Sequence, residues 1–262
     1  MCRFLAYRGS PILLEELVSA PTHSLIDQSL HAQEAKTGTN GDGFGIGWYG
    51  ERPAPGLYRE VRPAWSDENL RSVCAQVRSG LFFAHIRAST GTSTSRSNCH
   101  PFVAGRYMFM HNGQIGGWAR LRRRIEAMIP DDLYGHRQGT TDSEAILLAA
   151  MAAGLDADPP TALATTISRI RTMMLEDGIK EALRFTAALT DGETVWAFRW
   201  ASDDKPATLY WREDEAGLTI VSEPIDEHRE DWNAVPIGGF MVAREGERAE
   251  LGPWTKPLAV AA

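Results

Sequence analysis

The chain has 262 residues, of which 43% are hydrophobic and 23% are charged, values typical of globular proteins, so a fibre and a disordered chain are both excluded. The formal net charge of -7 argues against general nucleic-acid binding, which requires a basic surface. No composition break marks a linker, and we therefore expect residues 1–262 to form a single domain.

Signals for membrane insertion and export are absent from the sequence. The longest apolar run, Ala145–Ala153, is about half of the ~20 residues that a membrane-spanning helix needs. Arg3, Arg8 and Glu15 interrupt the segment in which a secretory signal would lie. The 3 cysteines are an odd number without a closely spaced pair, which argues against disulfides and a zinc site. We expect a cytoplasmic protein that needs no metal or other cofactor and binds neither membrane nor nucleic acid.

Glycine and proline positions define the expected strands of the first part of the chain. Cys2–Tyr7 is an apolar run that predicts a strand ending at the turn Gly9–Pro11. Gly41–Gly50 alternates glycine with large apolar residues, which predicts a strand whose bare face admits a ligand or another backbone. Such a strand suits the wall of a site, and Leu57–Val61 is expected to pair with it in a hairpin.

Two compact apolar runs follow a short helix. Ser66 is the expected N-cap of that helix, which ends near Val77. Leu81–Arg87 and Arg106–Met110 are predicted to be buried strands that end in polar residues. Catalytic and binding residues are often found where such strands end, so these two positions are candidates for a site.

The remainder of the chain combines helices with hairpins. An amphipathic helix is expected from Thr141, and a second one after Pro159-Pro160. Strands are expected in two hairpins, Phe185–Leu189 with Thr194–Trp200 around Asp191-Gly192, and Thr208–Arg212 with Leu218–Val221. Strands and helices therefore come in blocks with antiparallel signals. This order favours a layered α+β domain over a doubly wound parallel sheet.

Cys2 is the most informative residue for chemistry. We expect the initiator methionine to be removed because the next side chain is small, which leaves a thiol and a free α-amine on one residue. An α-amine has a pKa near ~7.7–8.0 and a thiol near ~8.5, so each is partly in its reactive form around neutrality. The amine can then accept the thiol proton through a water molecule. The alternative is a small buried residue, which is common for free cysteine.

Three further positions could complete such a site. Asn112-Gly113 follows an apolar run and can offer an amide and a backbone N–H to an oxyanion, or can form an ordinary turn. Arg87 ends another run and can bind a carboxylate, or can form a salt bridge. Asp142 lies in the capping box Thr141–Glu144, and its carboxylate can still face the ammonium group of a ligand.

Ordered motifs span most of the chain: MCRFLAYRG from Met1, NGDGFGIGWYG from Asn40, AHIRAST from Ala84, NCHPF from Asn98, HNG from His111, TTDSEA from Thr140 and VSEP from Val221. In this order they resemble the motifs of the class II glutamine amidotransferases, which belong to the N-terminal-nucleophile hydrolases. HSLIDQS from His23 is similar to the compact, free-standing branch that includes the ergothioneine-pathway γ-glutamyl hydrolase. The resemblance implies a four-layer αββα sandwich of two mostly antiparallel sheets, in agreement with an α+β class.

The resemblance also implies a catalytic set. Cys2 is the implied nucleophile, and its α-amine is the general base. Asn112 and the Gly113 N–H are the implied oxyanion hole. The thiolate then attacks the side-chain amide of glutamine or of a γ-glutamyl amide, and water resolves the thioester to glutamate after ammonia or an amine has left.

Substrate binding is implied at three more positions. Arg87, with Thr90 nearby, holds the α-carboxylate of a glutamine-like substrate, and Asp142 holds its α-ammonium. A zwitterionic head needs one cation and one anion, so these assignments agree with electrostatics. Supporting roles at the pocket or at the Cys2 backbone are implied for Asn40, Asp42, Gly43, Ser222 and Glu223.

Some residues of the motifs stay outside this set. Larger family members commonly carry tryptophan where this chain has Ala88, and Thr-His where it has Thr90-Gly91, so the contacts to the distal part of the substrate differ. His100 is expected to be a structural hydrogen-bonding residue and not the base. Cys99 is expected to be an inert small residue.

Three functions are compatible with these residues. The first, which we favour, is an autonomous amidase that removes a γ-glutamyl group from an amine. The second is the glutaminase subunit of a two-protein amidotransferase, which passes ammonia to a separate synthase. The third is a catalytically silent amino-acid sensor that uses Arg87 and Asp142 for binding alone.

Overall fold

The computed structural model describes residues 2–34, 39–89 and 93–254. Its strands are β1 (Arg3–Leu13), β2 (Phe44–Trp48), β3 (Gly56–Glu60), β4 (Arg78–Ile86), β5 (Phe102–Ala104), β6 (Tyr107–Gln114), β7 (Arg184–Thr190), β8 (Val195–Ala201), β9 (Tyr210–Glu213), β10 (Gly217–Val221), β11 (Asn233–Ala234), β12 (Gly239–Ala243) and β13 (Glu250–Pro253). Its α-helices are α1 (Glu15–Val18), α2 (Leu25–His31), α3 (Glu68–Cys74), α4 (Trp118–Glu126), α5 (Asp131–Tyr134), α6 (Asp142–Ala152) and α7 (Pro159–Glu176). Short 3-10 helices cover Ala64–Ser66, Arg96–Asn98 and Arg229–Asp231.

Two antiparallel sheets lie face to face between layers of helices. The first has the strand order β11-β9-β10-β1-β4-β2-β3, and the second has the order β13-β12-β8-β7-β6-β5. Apolar side chains from both sheets, among them Phe4, Phe83 and Met110, form the core between them. Separate cores join the first sheet to α1–α3 and the second sheet to α4–α7. The predicted αββα sandwich is therefore confirmed.

Strand β1 lies in the middle of the first sheet and is longer than predicted. It pairs with β10 on one side and with β4 on the other. The predicted end at Gly9–Pro11 is wrong, because β1 continues to Leu13 with a shift of register between Arg8 and Ile12. Such a β-bulge accommodates the irregular segment without ending the strand. Gly9 is required there, since a Cβ atom would lie 2.2 Å from the carbonyl oxygen of Ala216.

The predicted hairpin of β2 with β3 is confirmed, and its glycine face is covered by protein. A Cβ atom on Gly45 would lie 2.1 Å from the carbonyl oxygen of His100, and one on Gly47 would lie 2.5 Å from Sδ of Met108. The bare face therefore admits the backbone of His100 and the side chain of Met108. The sequence left open whether a ligand or another backbone approaches this face. At Gly45 and Gly47 the structure shows another part of the chain.

Strand β6 is also longer than predicted. His111, Asn112 and Gly113 continue it, and Asn112 and Gly113 pair with Thr186 and Phe185 of β7. They neither follow the end of the strand nor form a turn. Pairing with β7 overrides the turn preference of Asn-Gly, because each residue added to the ladder gains hydrogen bonds with the neighbouring strand.

Capping residues decide where the helices begin. Asp67, and not the predicted Ser66, caps α3 by accepting a hydrogen bond from the Leu70 N–H at 2.7 Å. Thr141 is the predicted N-cap of α6, since its hydroxyl accepts from the Glu144 N–H at 3.3 Å. The second half of the predicted capping box is not formed, because the Glu144 carboxylate accepts from the N–H groups of Gln138 and Gly139. The described part of the chain contains no helix that is both long and apolar enough to cross a membrane.

Candidate active site

Cys2 directly precedes β1, and its half-buried thiol lies against the backbone of Ala88. The Ala88 N–H donates to the sulfur at 3.3 Å, and the thiol is 3.5 Å from the Ala88 carbonyl oxygen. Burial raises the pKa of the Cys2 thiol, while the hydrogen bond from Ala88 acts in the opposite direction. Because the net effect favours the neutral thiol, a reaction at this sulfur needs a base.

Asn112 contacts the residue that carries the candidate nucleophile. Its Nδ2 donates to the Cys2 carbonyl oxygen at 2.8 Å, and its side chain is buried. The contact joins the start of β1 in the first sheet to the end of β6 in the second sheet. An amide nitrogen carries two hydrogens, so one remains for another acceptor. The structure thus brings together two of the predicted site residues.

Arg87 follows β4, and its guanidinium is held by its own loop. Nη1 donates to the Asp42 carbonyl oxygen at 3.3 Å, and Nη2 donates to the Ser89 hydroxyl at 3.1 Å and to the Ser93 carbonyl oxygen at 3.2 Å. All three acceptors are neutral. Since Ala88 lies between Arg87 and Ser89, this loop is the one that contacts the Cys2 thiol. Thr90, predicted to assist Arg87, lies outside the described residues.

Asp42 and Gly43 support the Arg87 loop. The Asp42 carboxylate accepts from the Ser89 N–H at 2.7 Å, and the Asp42 N–H donates to the Arg87 carbonyl oxygen at 3.1 Å. The Arg87 N–H donates to the Gly43 carbonyl oxygen at 2.8 Å. Gly43 has φ +111°, a backbone conformation that L side chains rarely adopt. These two residues therefore act on the backbone beside Cys2 and not on Cys2 itself.

Asp142 is the first residue of α6 and connects this helix to the end of β6. Its Oδ2 accepts from the Ile115 N–H at 2.8 Å, and its Oδ1 accepts from the Ser143 N–H at 2.8 Å. A hollow of about 220 Å³ lies here, lined by Gly113, Gln114, Ile115, Gly116, Gly117, Trp118, Asp142 and Glu181. Two predicted site residues, Gly113 and Asp142, therefore face one hollow.

His111 is neutral and fixes the position of α6 relative to β6. Its Nε2 is 3.0 Å from the Arg184 carbonyl oxygen, which can only accept, so Nε2 is the donor. The other nitrogen, Nδ1, accepts from the Ser143 hydroxyl at 2.9 Å. Burial lowers the pKa of His111, against opposing effects of Asp142 and of the bond to Arg184. His111 therefore orients its neighbours and is not placed as a base for Cys2.

The remaining predicted residues lie at the first sheet and α2. The Asn40 side chain donates to the Gln28 carbonyl oxygen at 3.3 Å, a hydrogen bond that ties it to α2. The Ser222 hydroxyl accepts from the Phe4 N–H at 2.9 Å, and the Ser222 N–H donates to the Phe4 carbonyl oxygen at 3.0 Å. Glu223 forms an ion pair with Arg3 at 3.1 Å. Ser222 and Glu223 thus hold the start of β1.

His100 stacks on His85 with ring centroids 4.1 Å apart, and both rings are buried. None of their ring nitrogens has a hydrogen-bond partner among the described residues, where stacking and burial hold both rings, and the hydrogen-bonding role of His100 stays a prediction. Burial raises the pKa of the neighbouring Cys99 to about 11, which makes this thiol unreactive. Within the described ranges, no group of three His, Cys, Asp or Glu residues is placed to hold a metal ion.

The sequence did not point to two residues that the structure connects to Cys2, Arg3 directly and His23 through Glu223. Arg3 is fully buried beside Cys2, and His23 contacts the ion-pair partner of Arg3. Arg3 could have been identified from the sequence, because it interrupts the apolar run at the start of β1. A buried arginine is rare unless it is paired, so its position indicates a buried counter-charge. No local signal linked His23 to Glu223, since they are 200 positions apart in the chain.

Comparison with known proteins agrees with this geometry. Residues 13–211 match the family of class-II glutamine amidotransferases. A solved class-II glutamine aminotransferase domain protein of Silicibacter pomeroyi is similar to the chain with a TM-score of 0.77 and 38% identity, over 97% of this chain and 99% of that one. The fold is therefore that of the N-terminal-nucleophile hydrolases. The chain belongs to the class II glutamine amidotransferase family.

Two relatives extend the comparison to activity. The probable glutamine amidotransferase DUG3 of Saccharomyces cerevisiae is 32% identical, and the match covers 94% of this chain and 82% of the relative. The gamma-glutamyl-hercynylcysteine sulfoxide hydrolase of Mycolicibacterium smegmatis is 28% identical, over 94% of this chain and 96% of the relative. Together with the family, these relatives identify the chain as an enzyme of the amidohydrolase type.

Proposed function

We propose that the enzyme cleaves the γ-amide bond of a γ-glutamyl amide or of glutamine through a thioester on Cys2, releasing glutamate and an amine or ammonia. The observation that carries this proposal is the hydrogen bond from Nδ2 of Asn112 to the backbone carbonyl oxygen of Cys2 at 2.8 Å, which places the amide beside the residue that carries the thiol. There a nucleophile and a preorganised amide donor lie side by side. This is the arrangement that acyl transfer requires.

The base in this proposal is the α-amine of Cys2, released by removal of Met1. Burial raises the pKa of the thiol, so the thiol does not ionise readily without help. An α-amine has a pKa near ~7.7–8.0 and is partly unprotonated at neutral pH. It takes the thiol proton through a water molecule and becomes an ammonium group. His111 does not compete for this role, since both of its ring nitrogens are engaged elsewhere.

The reaction proceeds in two halves that share the same groups. The Cys2 thiolate attacks the amide carbon, a C–S bond forms, and Asn112 and the Gly113 N–H receive the oxyanion. The C–N bond then breaks, and the α-ammonium gives its proton to the leaving amine. In the second half, water attacks the thioester and gives a proton to the α-amine, the C–S bond breaks, and glutamate leaves. No cofactor is needed for either half.

The substrate head is held by opposite charges. Its α-carboxylate binds Arg87, assisted by Thr90, and replaces neutral acceptors such as Ser89 and Ser93, because hydrogen bonds to an ionised acceptor are stronger. Its α-ammonium binds Asp142 in the hollow that Gly113 also lines. Asp42 and Gly43 keep the Arg87 loop in place. Asn40, Ser222 and Glu223 support α2 and the start of β1.

The leaving group distinguishes two versions of the function. Similarity to a gamma-glutamyl-hercynylcysteine sulfoxide hydrolase supports an enzyme that works alone on a γ-glutamyl compound. Similarity to a probable glutamine amidotransferase supports the second candidate, a glutaminase subunit that delivers ammonia to a separate synthase. Both matches cover 94% of this chain, and we favour the first version because the match covers 96% of the hydrolase against 82% of the probable glutamine amidotransferase. In either version, residues 1–262 act as one domain.

The test compares turnover by the wild type, Cys2→Ala and the control Cys74→Ala, whose thiol is buried against the first sheet in α3. Intact mass first establishes whether Met1 has been removed. We expect no turnover by Cys2→Ala, retained substrate binding in calorimetry, and full turnover by Cys74→Ala. Turnover by a folded Cys2→Ala would overturn the mechanism. Cleavage of γ-glutamylalkylamides by the isolated wild type supports the hydrolase, whereas cleavage of glutamine alone supports the glutaminase subunit.

A further inference from the structure

Arg3 connects the Cys2 backbone to a buried carboxylate. The Arg3 side chain is completely buried, its Nε lies 3.1 Å from Oε2 of Glu223, and Glu223 is completely buried as well. Nη1 of Arg3 donates to the Cys2 carbonyl oxygen at 3.5 Å, the same oxygen that accepts from Asn112. The position of this carbonyl therefore depends on the position of Arg3, and a buried cation is stable only near its counter-charge.

Glu223 collects several donors around its carboxylate. Oε1 accepts from Nε2 of His23 at 2.6 Å and from the Gln33 N–H at 2.8 Å, and Oε2 accepts from the Glu34 N–H at 3.0 Å. Burial acts to raise the pKa of Glu223, but the hydrogen bonds from His23 and the two amides outweigh burial and hold it below its usual value. Glu223 is therefore an ionised carboxylate with two cationic neighbours, Arg3 and His23.

His23 lies between two carboxylates. Its Nε2 faces Glu223 and its Nδ1 lies 2.9 Å from Oδ2 of Asp27 in α2. Ionised carboxylates only accept hydrogen bonds, so both ring nitrogens must donate and the ring is an imidazolium. The hydrogen bond to Glu223, and then that to Asp27, raises the pKa of His23 against the opposing effect of burial. A chain of alternating charges thus runs from Asp27 through His23 and Glu223 to Arg3.

Two other charged groups of the described residues, His31 and Glu34, lie near this chain of charges. His31 of α2 is exposed and lies 3.4 Å from the other carboxylate oxygen of Asp27. The Glu34 side chain binds Tyr210 and Arg229. Burial lowers the pKa of Arg3, while the negative charges of Glu223 and then of Glu34 act to raise it, so Glu34 reaches the inner end. At the inner end, Ser222 binds both backbone groups of Phe4, so that Glu223 is attached to the strand that Cys2 precedes. A displacement of Glu223 is therefore transmitted to β1.

We propose that His23 in its doubly protonated form is a positioning residue for Cys2, which acts through Glu223 and Arg3 to hold the Cys2 carbonyl against Asn112. When the imidazolium loses a proton, one of its two carboxylates loses its donor, and Glu223 keeps Arg3 as its sole cationic side-chain neighbour among the contacts described above. The start of β1 then loosens, and the thiol is less well placed. The inference rests on the proposed role of Cys2 as nucleophile.

The pH dependence has a defined sign. The pKa of His23 is raised above 6.5, so its contribution is complete below that value and is lost as the pH rises through the raised pKa. The α-amine acts in the other direction, because it becomes a base as the pH rises. We therefore expect the activity of the wild type to rise as the α-amine loses its proton, and to fall at higher pH as His23 loses its own.

The experiment uses the full chain with His23→Gln, and the matched control is His31→Gln, at the exposed end of α2, the helix that begins two residues after His23. We expect His23→Gln to lower kcat about 10- to 100-fold, the size expected for a displaced reacting group, with KM within about twofold of the wild type. The fall of kcat at high pH is absent from its profile. His31→Gln is expected to behave as the wild type in both respects. An unchanged kcat and pH profile in His23→Gln would overturn the proposal. A lower kcat that is accounted for by a smaller folded fraction, with an unchanged pH profile, would overturn it as well.

A second readout does not need a γ-glutamyl substrate. Alkylation of Cys2 by iodoacetamide at pH 7, followed by mass spectrometry, is expected to be several-fold faster in His23→Gln than in the wild type and His31→Gln, because loosening exposes the sulfur. If the wild type cleaves no γ-glutamyl compound but this difference is observed, the proposed function fails and the positioning role stands. If the wild type is active and its alkylation rate equals that of His23→Gln, the positioning role fails.

Discussion

Asp142 illustrates how a single carboxylate can stabilise the fold and still be available to a ligand. It receives the N–H of Ile115 on one oxygen and that of Ser143 on the other, which ties α6 to the end of β6. The N-terminal turn of a helix also favours a negative charge there. Thr141 performs the capping, so Asp142 is not used for that purpose. A carboxylate has about four acceptor sites, and one in the hollow can receive an ammonium group.

Replacing Asp142 with Asn tests this role at the scale of one residue. We expect Asp142→Asn to raise KM about 10- to 100-fold for γ-glutamyl anilides, because a hydrogen bond to a charged group is lost. KM for the corresponding glutaryl anilides, which lack the α-ammonium, should remain unchanged. Steady-state kinetics on both substrates measures the difference. The control is Asp132→Asn, at an exposed position in α5. An equal effect on both substrates would contradict the assignment.

At the scale of secondary structure, the site depends on how closely β6 and β7 approach each other. A Cβ atom on Gly113 would lie 2.0 Å from the Arg184 carbonyl oxygen and 2.4 Å from Nε2 of His111. The first contact is with backbone and cannot be relieved by a change of rotamer. The second would disturb the hydrogen bond by which His111 holds Arg184. Glycine is therefore required at this position by packing as well as by chemistry.

Gly113→Ala is expected to destabilise the protein by about 1–3 kcal/mol, the range for overpacking in an ordered interior. The matched control is Gly50→Ala, where nothing lies within 4 Å of the added atom. Thermal unfolding of both variants, followed by circular dichroism, measures the difference. We expect a lower Tm for Gly113→Ala and a Tm close to that of the wild type for Gly50→Ala. Equal Tm values for Gly113→Ala and the wild type would show that β6 can move away from β7.

Across the whole molecule, ion pairs attach loops to the layered core. Glu126 of α4 accepts from Arg137 and Arg122 at 2.9 Å each, and Arg137 also donates to Glu144 of α6 at 2.7 Å. Burial acts to raise the pKa of Glu126, but these arginines outweigh burial and hold it below 4.5. Burial also acts to raise the pKa values of Asp226 and Glu223, but hydrogen bonds, from Trp232 and Arg212 to Asp226 and from His23 and two backbone amides to Glu223, hold them below their usual values.

This pairing predicts a loss of stability in acid. A carboxylate whose pKa is lowered by folding contributes fully above its unfolded value of about 4.5, and the contribution is lost as the pH falls through the folded pKa. Denaturant unfolding between pH 3 and pH 7 should show this decline. We expect Glu126→Gln to lose about 1.5–3 kcal/mol at neutral pH and to show a shallower decline in acid. Glu230→Gln, at an exposed position, should match the wild type. If the free energy of unfolding of Glu126→Gln falls as steeply in acid as that of the wild type, Glu126 is not a source of the acid instability.

Much of the element list was predictable from local patterns. The hairpin around Asp191-Gly192 and the helix after Pro159 carry turn and capping chemistry that acts over a few residues, and both are observed. Helix α4 was not predicted, since its N-cap is Gly117, with φ +68° and no side chain to mark the start of a helix. Helix α6 was predicted to have one buried and one exposed face, but most of its surface is buried. Its residues 143–150 are all buried, because it lies between the second sheet and other helices.

The sequence by itself determined the family, the layered α+β class and the identity of the candidate nucleophile, because ordered motifs and local periodicity are written along the chain. Only the tertiary structure decided that Asn112 and Gly113 extend a strand, that Asn112 contacts Cys2, and that His23 reaches Arg3 through Glu223. Each of these contacts joins residues that are far apart in the chain. Pairing and burial at such distances depend on how the sheets pack, which no local pattern encodes.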